Sequence, residues 1–170
     1  RSLDEVRREL VFLSGHSHLH AAVATGRAEA VKELGEELIN LSRKRIYDQV
    51  RWIDERGMEK VRVDLVKGRP WLTPPEHLQN KAARYYFSEA MKLEPGEVYL
   101  SPLDLNVEQG KVETPHKPVL RLATPLADNR GARRGIVILN YLGRKMLDAF
   151  ATATAGIGDH AMLLNSDGFW

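Results

Sequence analysis

The strongest constraint on the fold comes from two neighbouring segments that are apolar on both sides, Val119 to Leu126 and Gly135 to Leu142. Each has the length of a strand, and Asp128-Asn129-Arg130-Gly131 between them is typical of a turn. Strands whose side chains are apolar on both faces are buried on both faces. We therefore expect the sheet that contains this hairpin to be covered on each side.

The first 45 residues have a different periodicity. Apolar residues are spaced three and four positions apart, first at Leu3, Val6, Leu10 and Leu13 and then at Val31, Leu34, Leu38 and Leu41. This spacing predicts a long N-terminal helix with one narrow buried stripe. Gly15 and Gly26 lie between the two groups, which are out of phase, so we expect a kink, a stutter or two successive helices. The stripe is expected to form a packing seam, with a second copy of the chain as a candidate partner.

The remaining elements follow from periodicity and from the positions of proline and glycine. They are a hairpin over 46–66, a helix over 76–93, strands over 97–101, 119–126 and 135–142, a helix over 144–154, a strand over 161–164 and a turn at Ser166-Asp167-Gly168. Because the strands are joined by hairpins rather than helical crossovers, this order predicts an α+β fold with an antiparallel sheet of about five strands, flanked by helices.

Composition excludes several classes of protein. Among 170 residues, Lys and Arg number 25 and Asp and Glu number 23, so the electrostatic signature of a nucleic-acid binder is weak and nucleic acid is not an expected partner. The chain has no cysteine, which excludes disulfides, thiolate metal sites and cysteine nucleophiles. No apolar run approaches the roughly 18 residues of a membrane-spanning helix.

One histidine-rich motif, His16-Ser17-His18-Leu19-His20, has the spacing of metal ligands, because His16 and His20 are one helical turn apart. No third ligand is nearby in the sequence, so a solvated histidine patch is favoured over a metal site. The chain also lacks a nucleophile elbow and a glycine-rich phosphate loop at a helix start. We therefore predict no catalytic residue, metal or cofactor, and keep a metalloenzyme that uses His16 and His20 as the least favoured alternative.

Polar residues inside apolar strands point to a binding site. Ser101, Arg121 and Asn140 share strand faces with apolar neighbours, and a buried polar group is costly unless it is hydrogen-bonded. Loop backbone or surface exposure would satisfy each one equally well. Together with Arg84-Tyr85-Tyr86-Phe87 and with Trp71, they predict a mostly apolar pocket with a few oriented donors, the usual composition of a small-ligand site.

Several segments in one collinear order, from about Phe12 to the end of the chain, resemble double Cache sensor domains. They are Tyr47–Asp54, Gly57–Glu59 with Arg62-Val63, Leu78–Lys81, Arg84–Phe87, Gly96–Asn106 and Arg134–Leu142. Double Cache domains are the extracytoplasmic ligand-binding regions of bacterial histidine kinases, diguanylate cyclases and chemoreceptors.

This resemblance implies a division of the chain into three regions. Residues 1–45 would be a signalling and dimerisation helix that rises from a membrane anchor, and 46–143 a membrane-distal, PAS-like ligand-binding module. Residues 144–170 would be a linker helix and the first hairpin of a truncated membrane-proximal module, with Leu163–Trp170 as that hairpin. The chain is then expected to be the periplasmic piece of a longer inner-membrane protein, with its anchors and a kinase or cyclase output domain outside the sequence.

The resemblance also implies where a ligand binds. Arg84 and Tyr86 resemble a pair that clamps a carboxylate, which suits a planar guanidinium, while Ser101 and Asp104 belong to the strand that lines the pocket. Asn140 stands where amino-acid-binding members carry an aspartate for the ligand's ammonium group, so a free amino acid is less favoured. A carboxylic acid, another small polar molecule or an apolar metabolite remains open. The expected ligand-binding residues are Trp71, Arg84, Tyr86, Phe87, Ser101, Asp104, Arg121 and Asn140.

The predicted function is therefore that of a small-molecule sensor module, which transmits binding through the N-terminal helix. The alternative is a dimerisation or partner-binding module of the same fold with no small ligand, for which a dry pocket and an apolar helical seam are expected.

Overall fold

The computed structural model describes residues 2–108, 110–157, 160–164 and 168, which form five α-helices and nine β-strands. The helices are α1 (Leu3–Ser14), α2 (Ser17–Thr25), α3 (Ala28–Ser42), α4 (Tyr85–Met91) and α5 (Gly143–Thr154), and a 3₁₀ turn spans Pro75–His77. The strands are β1 (Tyr47–Ile53), β2 (Glu59–Val66), β3 (Arg69–Leu72), β4 (Tyr99–Leu100), β5 (Asp104–Leu105), β6 (Val107–Glu108), β7 (Lys111–Val112), β8 (Pro118–Ala127) and β9 (Arg133–Leu142).

Seven strands form one antiparallel sheet in the order β3-β2-β1-β9-β8-β4, with β5 paired to β8, while β6 and β7 form a separate hairpin. The α+β class and both main hairpins are confirmed. The sheet exceeds the expected five strands partly because β3 extends the first hairpin. Lys67 and Gly68 both have positive φ angles, 49° and 74°, which turn the chain tightly back onto β2. Pro70 is tolerated in β3 because this strand lies at the sheet edge.

Three helices replace the single long helix expected at the N-terminus. α1 ends at Gly15, and α2 ends at Gly26, which adopts the left-handed conformation at φ 59°. α1 packs on β8 and β9, and α3 packs on β1, β2 and β3. A homodimer through the N-terminal helices stays a prediction, but the packing seam lies within the chain, because the stripes cover the sheet of their own chain. Their fully buried members are Val6, Leu10, Leu13, Leu34 and Leu38.

The sheet is covered on both faces, as expected. The face under the N-terminal helices, called the α1–α3 face, buries a large apolar cluster that includes Val50, Trp52 and Leu139. The opposite face, called the α4 face, buries a smaller apolar cluster beneath α4. Its members are Ile53, Tyr86, Phe87, Ala90, Ala123, Ile136 and Ile138.

The helix expected over 76–93 is interrupted. Only the 3₁₀ turn and α4 are helical, because the intervening backbone pairs with the turn and start of β2 instead of with itself. The Glu59 N–H donates to the Gln79 carbonyl at 3.1 Å, and the Lys81 N–H donates to the Gly57 carbonyl at 2.6 Å. This pairing carries residues 79–81 onto the α4 face.

The C-terminal region agrees with the prediction only in part. The helix expected over 144–154 is α5, but residues 161–164 form no strand, because no neighbouring strand pairs with them within the described chain. Ser166 and Asp167 of the expected turn, and most of the expected hairpin Leu163–Trp170, lie outside the described residues. None of the helices in the described ranges combines the length and apolar character needed to cross a bilayer.

Candidate ligand-binding site

One row of side chains crosses the α4 face from edge to edge. Strand register places them opposite one another, and a 2.9 Å hydrogen bond from the Ser101 N–H to the Arg121 carbonyl extends the row beyond β4. We call these residues the polar row; in order they are Trp71, Asp64, Gln49, Asn140, Arg121 and Ser101. Four of the eight residues expected from the sequence are thus brought into line by the register.

Arg51 lies beside the polar row on β1 and is only 1% exposed. Its Nη1 donates to Glu59 Oε1 at 3.2 Å and to the Tyr86 hydroxyl at 3.4 Å, and its Nη2 donates to Asn140 Oδ1 at 2.9 Å. The Asn140 amide in turn donates to Gln49 Oε1 at 3.0 Å. Burial by itself lowers the pKa of Arg51, but Tyr86 and Glu59 raise it by more, so the guanidinium stays charged.

Arg121 is the corresponding cation on β8, also 1% exposed. It pairs with the Asp104 carboxylate through Nη1, which also donates to the Tyr85 hydroxyl at 3.4 Å. The Tyr85 hydroxyl donates to Asp104 Oδ2 at 2.5 Å, and burial together with this bond raises the pKa of Tyr85 to about 12. Ser101 fixes the backbone here, since its hydroxyl accepts from the Arg121 N–H at 2.9 Å.

Three guanidinium groups surround the ring of Tyr86, the first buried aromatic residue of α4. The Cζ atoms of Arg51, Arg84 and Arg121 lie 5.6, 5.7 and 5.1 Å from the ring centroid, within cation–π range. Burial raises the pKa of the Tyr86 hydroxyl, but the charges of Arg51, Lys81 and Arg121 lower it overall. The electrostatic potential at this hydroxyl is therefore positive, which favours a nearby anion.

Toward the Trp71 end of the polar row, the polar contacts centre on Arg62 of β2. Its Nε lies 2.9 Å from both oxygens of Asp64, and its Nη1 lies 3.6 Å from Glu59 Oε2. The hydroxyl of Thr73, the residue after edge strand β3, donates to Asp64 Oδ2 at 2.5 Å and so fixes this carboxylate. Arg62, Asp64 and Thr73 form a connected polar network that reaches the edge of the sheet.

Both buried arginines retain one donor that is not used. The Nε–H groups of Arg51 and Arg121 are buried and have no hydrogen-bond partner among the described residues. A buried donor left unsatisfied costs about 1–3 kcal/mol, and more on a charged group. A bound acceptor such as a carboxylate would remove this cost.

Two of the residues expected from the sequence take no part in the hydrogen bonds described above for Arg51 and Arg121. Phe87 is buried in the apolar cluster under α4, where it packs rather than offering a polar contact. Trp71 ends the polar row on edge strand β3, with its side chain 59% exposed. Asp104, Arg84 and Tyr86 do join Arg121 and Asn140, at the end of the row nearest α4.

Sequence reasoning missed the residues contributed by the first hairpin and by the following loop. The most important are Gln49, Arg51, Glu59, Arg62, Asp64 and Lys81. One signal was available, since Gln49 and Arg51 alternate with the apolar Val50 and Trp52 along β1. Alternation alone predicts on which face of the sheet a side chain lies, but not which strands lie next to its own.

The histidine motif and the open cavities lie elsewhere. The rings of His16 and His18 are 5.2 Å apart, and the described part of the chain holds no cluster of three metal-ligating side chains. A cavity of about 500 Å³ lies between the end of α2 and the β8–β9 turn, and one of about 260 Å³ lies between α1 and α3. Neither cavity is lined by residues of the polar row.

Helices therefore cover both faces of an antiparallel sheet, and a buried cationic network lies on the α4 face. A family model for the bacterial histidine kinase sensor domain matches residues 10–152. The chain belongs to this family, which confirms the resemblance to bacterial sensor domains.

Solved structures share the fold. The extracellular domain of vpHK1S-Z8, described as a histidine kinase, superposes with a TM-score of 0.79 at 23% identity over 86% of this chain and 52% of its own. A sensory box/GGDEF family protein domain from Vibrio parahaemolyticus gives 0.76 at 24% identity, over 82% and 52%. The ligand-binding domain of Campylobacter jejuni chemoreceptor Tlp3, in complex with 4-methylisoleucine, gives 0.56 at 10%, over 87% and 63%.

The chain spans about half the length of the first two structures. A search of curated proteins found no sequence that matches this chain.

Proposed function

We propose that the chain is the extracytoplasmic ligand-binding portion of a membrane-bound bacterial signalling protein, and that it binds a small carboxylate-bearing molecule on the α4 face of the sheet. The membrane anchors and a kinase or cyclase output domain belong to the rest of that protein. The observation that carries this proposal is the pair of unused, buried Nε–H donors on Arg51 and Arg121, whose Cζ atoms lie 5.6 and 5.1 Å from the centroid of the Tyr86 ring.

The site favours an anion for two reasons. First, positive charge outweighs burial at the Tyr86 hydroxyl, which lowers its pKa. Second, a guanidinium binds a carboxylate through parallel hydrogen bonds, and such charge-assisted bonds are stronger than neutral ones. The Asn140 amide uses its oxygen for Arg51 and its nitrogen for Gln49, so it does not replace an aspartate as partner for a ligand ammonium group. A carboxylic acid without an amino group is therefore the ligand we favour.

Signal transmission follows from the strands that carry the site. Arg121 and Asn140 lie on β8 and β9, and α1 packs across the opposite face of the same two strands. A ligand that binds one arrangement of β8 and β9 more tightly shifts the population of α1 positions by its difference in affinity. The N-terminal helices then carry this shift toward the membrane.

A thermal-shift screen tests the proposal. The chain is melted with carboxylic acids, amino acids, amines and small aromatic compounds, each alone. A ligand at about one hundred times its dissociation constant adds roughly 2.7 kcal/mol of stability and raises the melting temperature by several degrees. Arg84→Ala removes the more accessible guanidinium beside Tyr86, and Arg43→Ala, an exposed change at the end of α3, is the matched control.

We expect a carboxylic acid to stabilise the wild type and Arg43→Ala, and to stabilise Arg84→Ala much less. Stabilisation by amines alone would contradict an anionic ligand. A cooperative transition that no compound shifts would instead favour the partner-binding module without a small ligand.

A further inference from the structure

One carboxylate of the chain itself is held as a ligand would be. Glu108, at the end of β6, accepts from Gln49 Nε2 at 2.8 Å and from Gln79 Nε2 and Asn106 Nδ2 at 3.3 Å each. Arg62 Nη1 lies 3.3 Å and Lys81 Nζ 3.9 Å from the same carboxylate. Five nitrogen atoms therefore converge on one side chain.

Gln49, Arg62 and Lys81 each have a further partner besides Glu108. Gln49 is fixed by Asn140 and Asp64, Arg62 by Asp64, and Lys81 by its bond to Gln79 Oε1 at 2.8 Å. Gln49, Arg62 and Lys81 are all buried, at 3%, 7% and 6% exposure. Desolvation lowers the pKa of Lys81, so a cation here depends on a nearby anion. A carboxylate beside Lys81 favours the charged form of this lysine, whichever molecule supplies it.

Glu108 differs from these donors in its accessibility. Its side chain is 25% exposed and belongs to a strand of two residues outside the main sheet. An outward rotation of this side chain would remove the carboxylate from the donors without a change in the main sheet. The donor set also adjoins the proposed ligand site, because Gln49 is the neighbour of Asn140 in the polar row.

We propose that Gln49, Arg62 and Lys81 form a carboxylate-binding subsite that Glu108 fills in the absence of ligand, and that an acidic ligand must displace Glu108 to bind there. This inference rests on the proposed sensor function and adds a regulatory element to it. An internal carboxylate acts at an effective concentration of about millimolar or higher, so Glu108 would set the ligand concentration at which the sensor responds.

Chemical rescue with sodium acetate tests the subsite directly. Glu108→Ala removes the carboxylate that Lys81 shares with Arg62, although Arg62 keeps Asp64, and we expect the melting temperature to fall and acetate to restore it. Sodium chloride at equal ionic strength and neutral acetamide are expected to have no such effect. The matched control is Glu113→Ala, which removes a carboxylate of the same segment. Glu113 pairs with Lys117 at 2.8 Å and accepts from Asn106 Nδ2 at 3.0 Å, and neither of these partners is Gln49, Arg62 or Lys81. Acetate should not stabilise this variant beyond the wild type.

Glu108→Gln provides a second variant that keeps the side-chain shape and an acceptor oxygen, and so retains the fold if Glu108→Ala does not. Calorimetry should show acetate binding to Glu108→Gln about tenfold more tightly than to the wild type, because a weaker internal competitor leaves the subsite open for a larger fraction of the time. Equal affinity of Glu108→Gln and wild type for acetate, with no rescue of Glu108→Ala, would overturn the proposal and make Glu108 a purely structural residue.

The two proposals fail in different ways. A carboxylic acid that stabilises the wild type without acetate rescue of Glu108→Ala would refute the subsite and retain the sensor function. Acetate rescue in a chain that no compound of the screen stabilises would retain the subsite and refute the small-ligand sensor.

Discussion

The α1–α3 face and the α4 face of the same sheet are both buried, but different interactions hold them. On the α1–α3 face, aliphatic stripes of α1 and α3 pack on Val50, Leu122 and Leu139. On the α4 face, buried arginines and carboxylates occupy the corresponding space. An apolar layer stabilises in proportion to the area it buries, whereas buried charges about balance their desolvation cost. The comparison teaches that net stability alone does not account for the buried charges of the α4 face, which agrees with the binding role proposed above.

The largest expected effect comes from breaking a buried ion pair on the α4 face. Glu59→Ala removes a fully buried carboxylate and leaves Arg51 and Arg62 without it, which should cost about 3–5 kcal/mol of unfolding free energy. Urea denaturation measures the loss. The matched control is Glu55→Ala, where the side chain is 40% exposed and pairs with Arg134 at 3.7 Å. If both variants lost the same small amount of unfolding free energy, the buried ion pairs of Glu59 would not differ in strength from a surface ion pair.

A large-to-small change on the α1–α3 face should have the next largest effect. Leu10→Ala opens a cavity between α1 and β8, and the expected cost is about 2–5 kcal/mol. Its neighbour Val11 is 38% exposed, so Val11→Ala should change stability by less than about 0.5 kcal/mol. If Leu10→Ala left the ligand response intact at a lower melting temperature, stability and binding would be assigned to separate faces. If Leu10→Ala instead lost ligand binding selectively, stability and binding could not be assigned to separate faces.

Acid should weaken the α4 face through Glu108. Burial raises the pKa of this carboxyl, but Arg62, the Gln49 hydrogen bond and Lys81 lower it to about 2, from an ordinary value of 4.5. A depressed pKa gives stability that is complete above pH 4.5 and is lost as the pH falls through 2. The stability difference between wild type and Glu108→Gln should therefore shrink over this range in urea titrations at successive pH values. A constant difference would show that Glu108 is not charge-paired.

The smallest expected effect is at an exposed ion pair. Lys92 Nζ lies 2.6 Å from Glu89 Oε1 at the end of α4, with both side chains largely exposed. Because such pairs are screened by water, Lys92→Ala should change unfolding free energy by less than about 1 kcal/mol. Thermal melts at low and high salt measure it. A cost near that of Glu59→Ala would mean that burial does not explain the contrast between these pairs.

Much of the fold could be predicted because it depends on local pattern. Period-two alternation and turn residues gave the hairpins over 46–66 and 119–142, and Gly15 and Gly26 marked where the N-terminal helical region breaks. The tight turn at Lys67 and Gly68, which needs two consecutive positive φ angles, was not predicted. Strand β3, which follows this turn, was therefore not predicted either. The interruption of the helix expected over 76–93 was also missed, since it depends on backbone pairing with residues 57–59.

The sequence by itself determined which residues are polar within otherwise apolar strands, and so Ser101, Arg121 and Asn140 could be named as site candidates. Only the tertiary structure decided their partners. β1 lies between β2 and β9, which sets Arg51 beside Asn140 across 89 positions of the chain. Periodicity fixes the face on which a side chain lies, because successive residues of a strand alternate. It carries no information on strand order or register, which arise when the whole sheet buries its apolar surface at once.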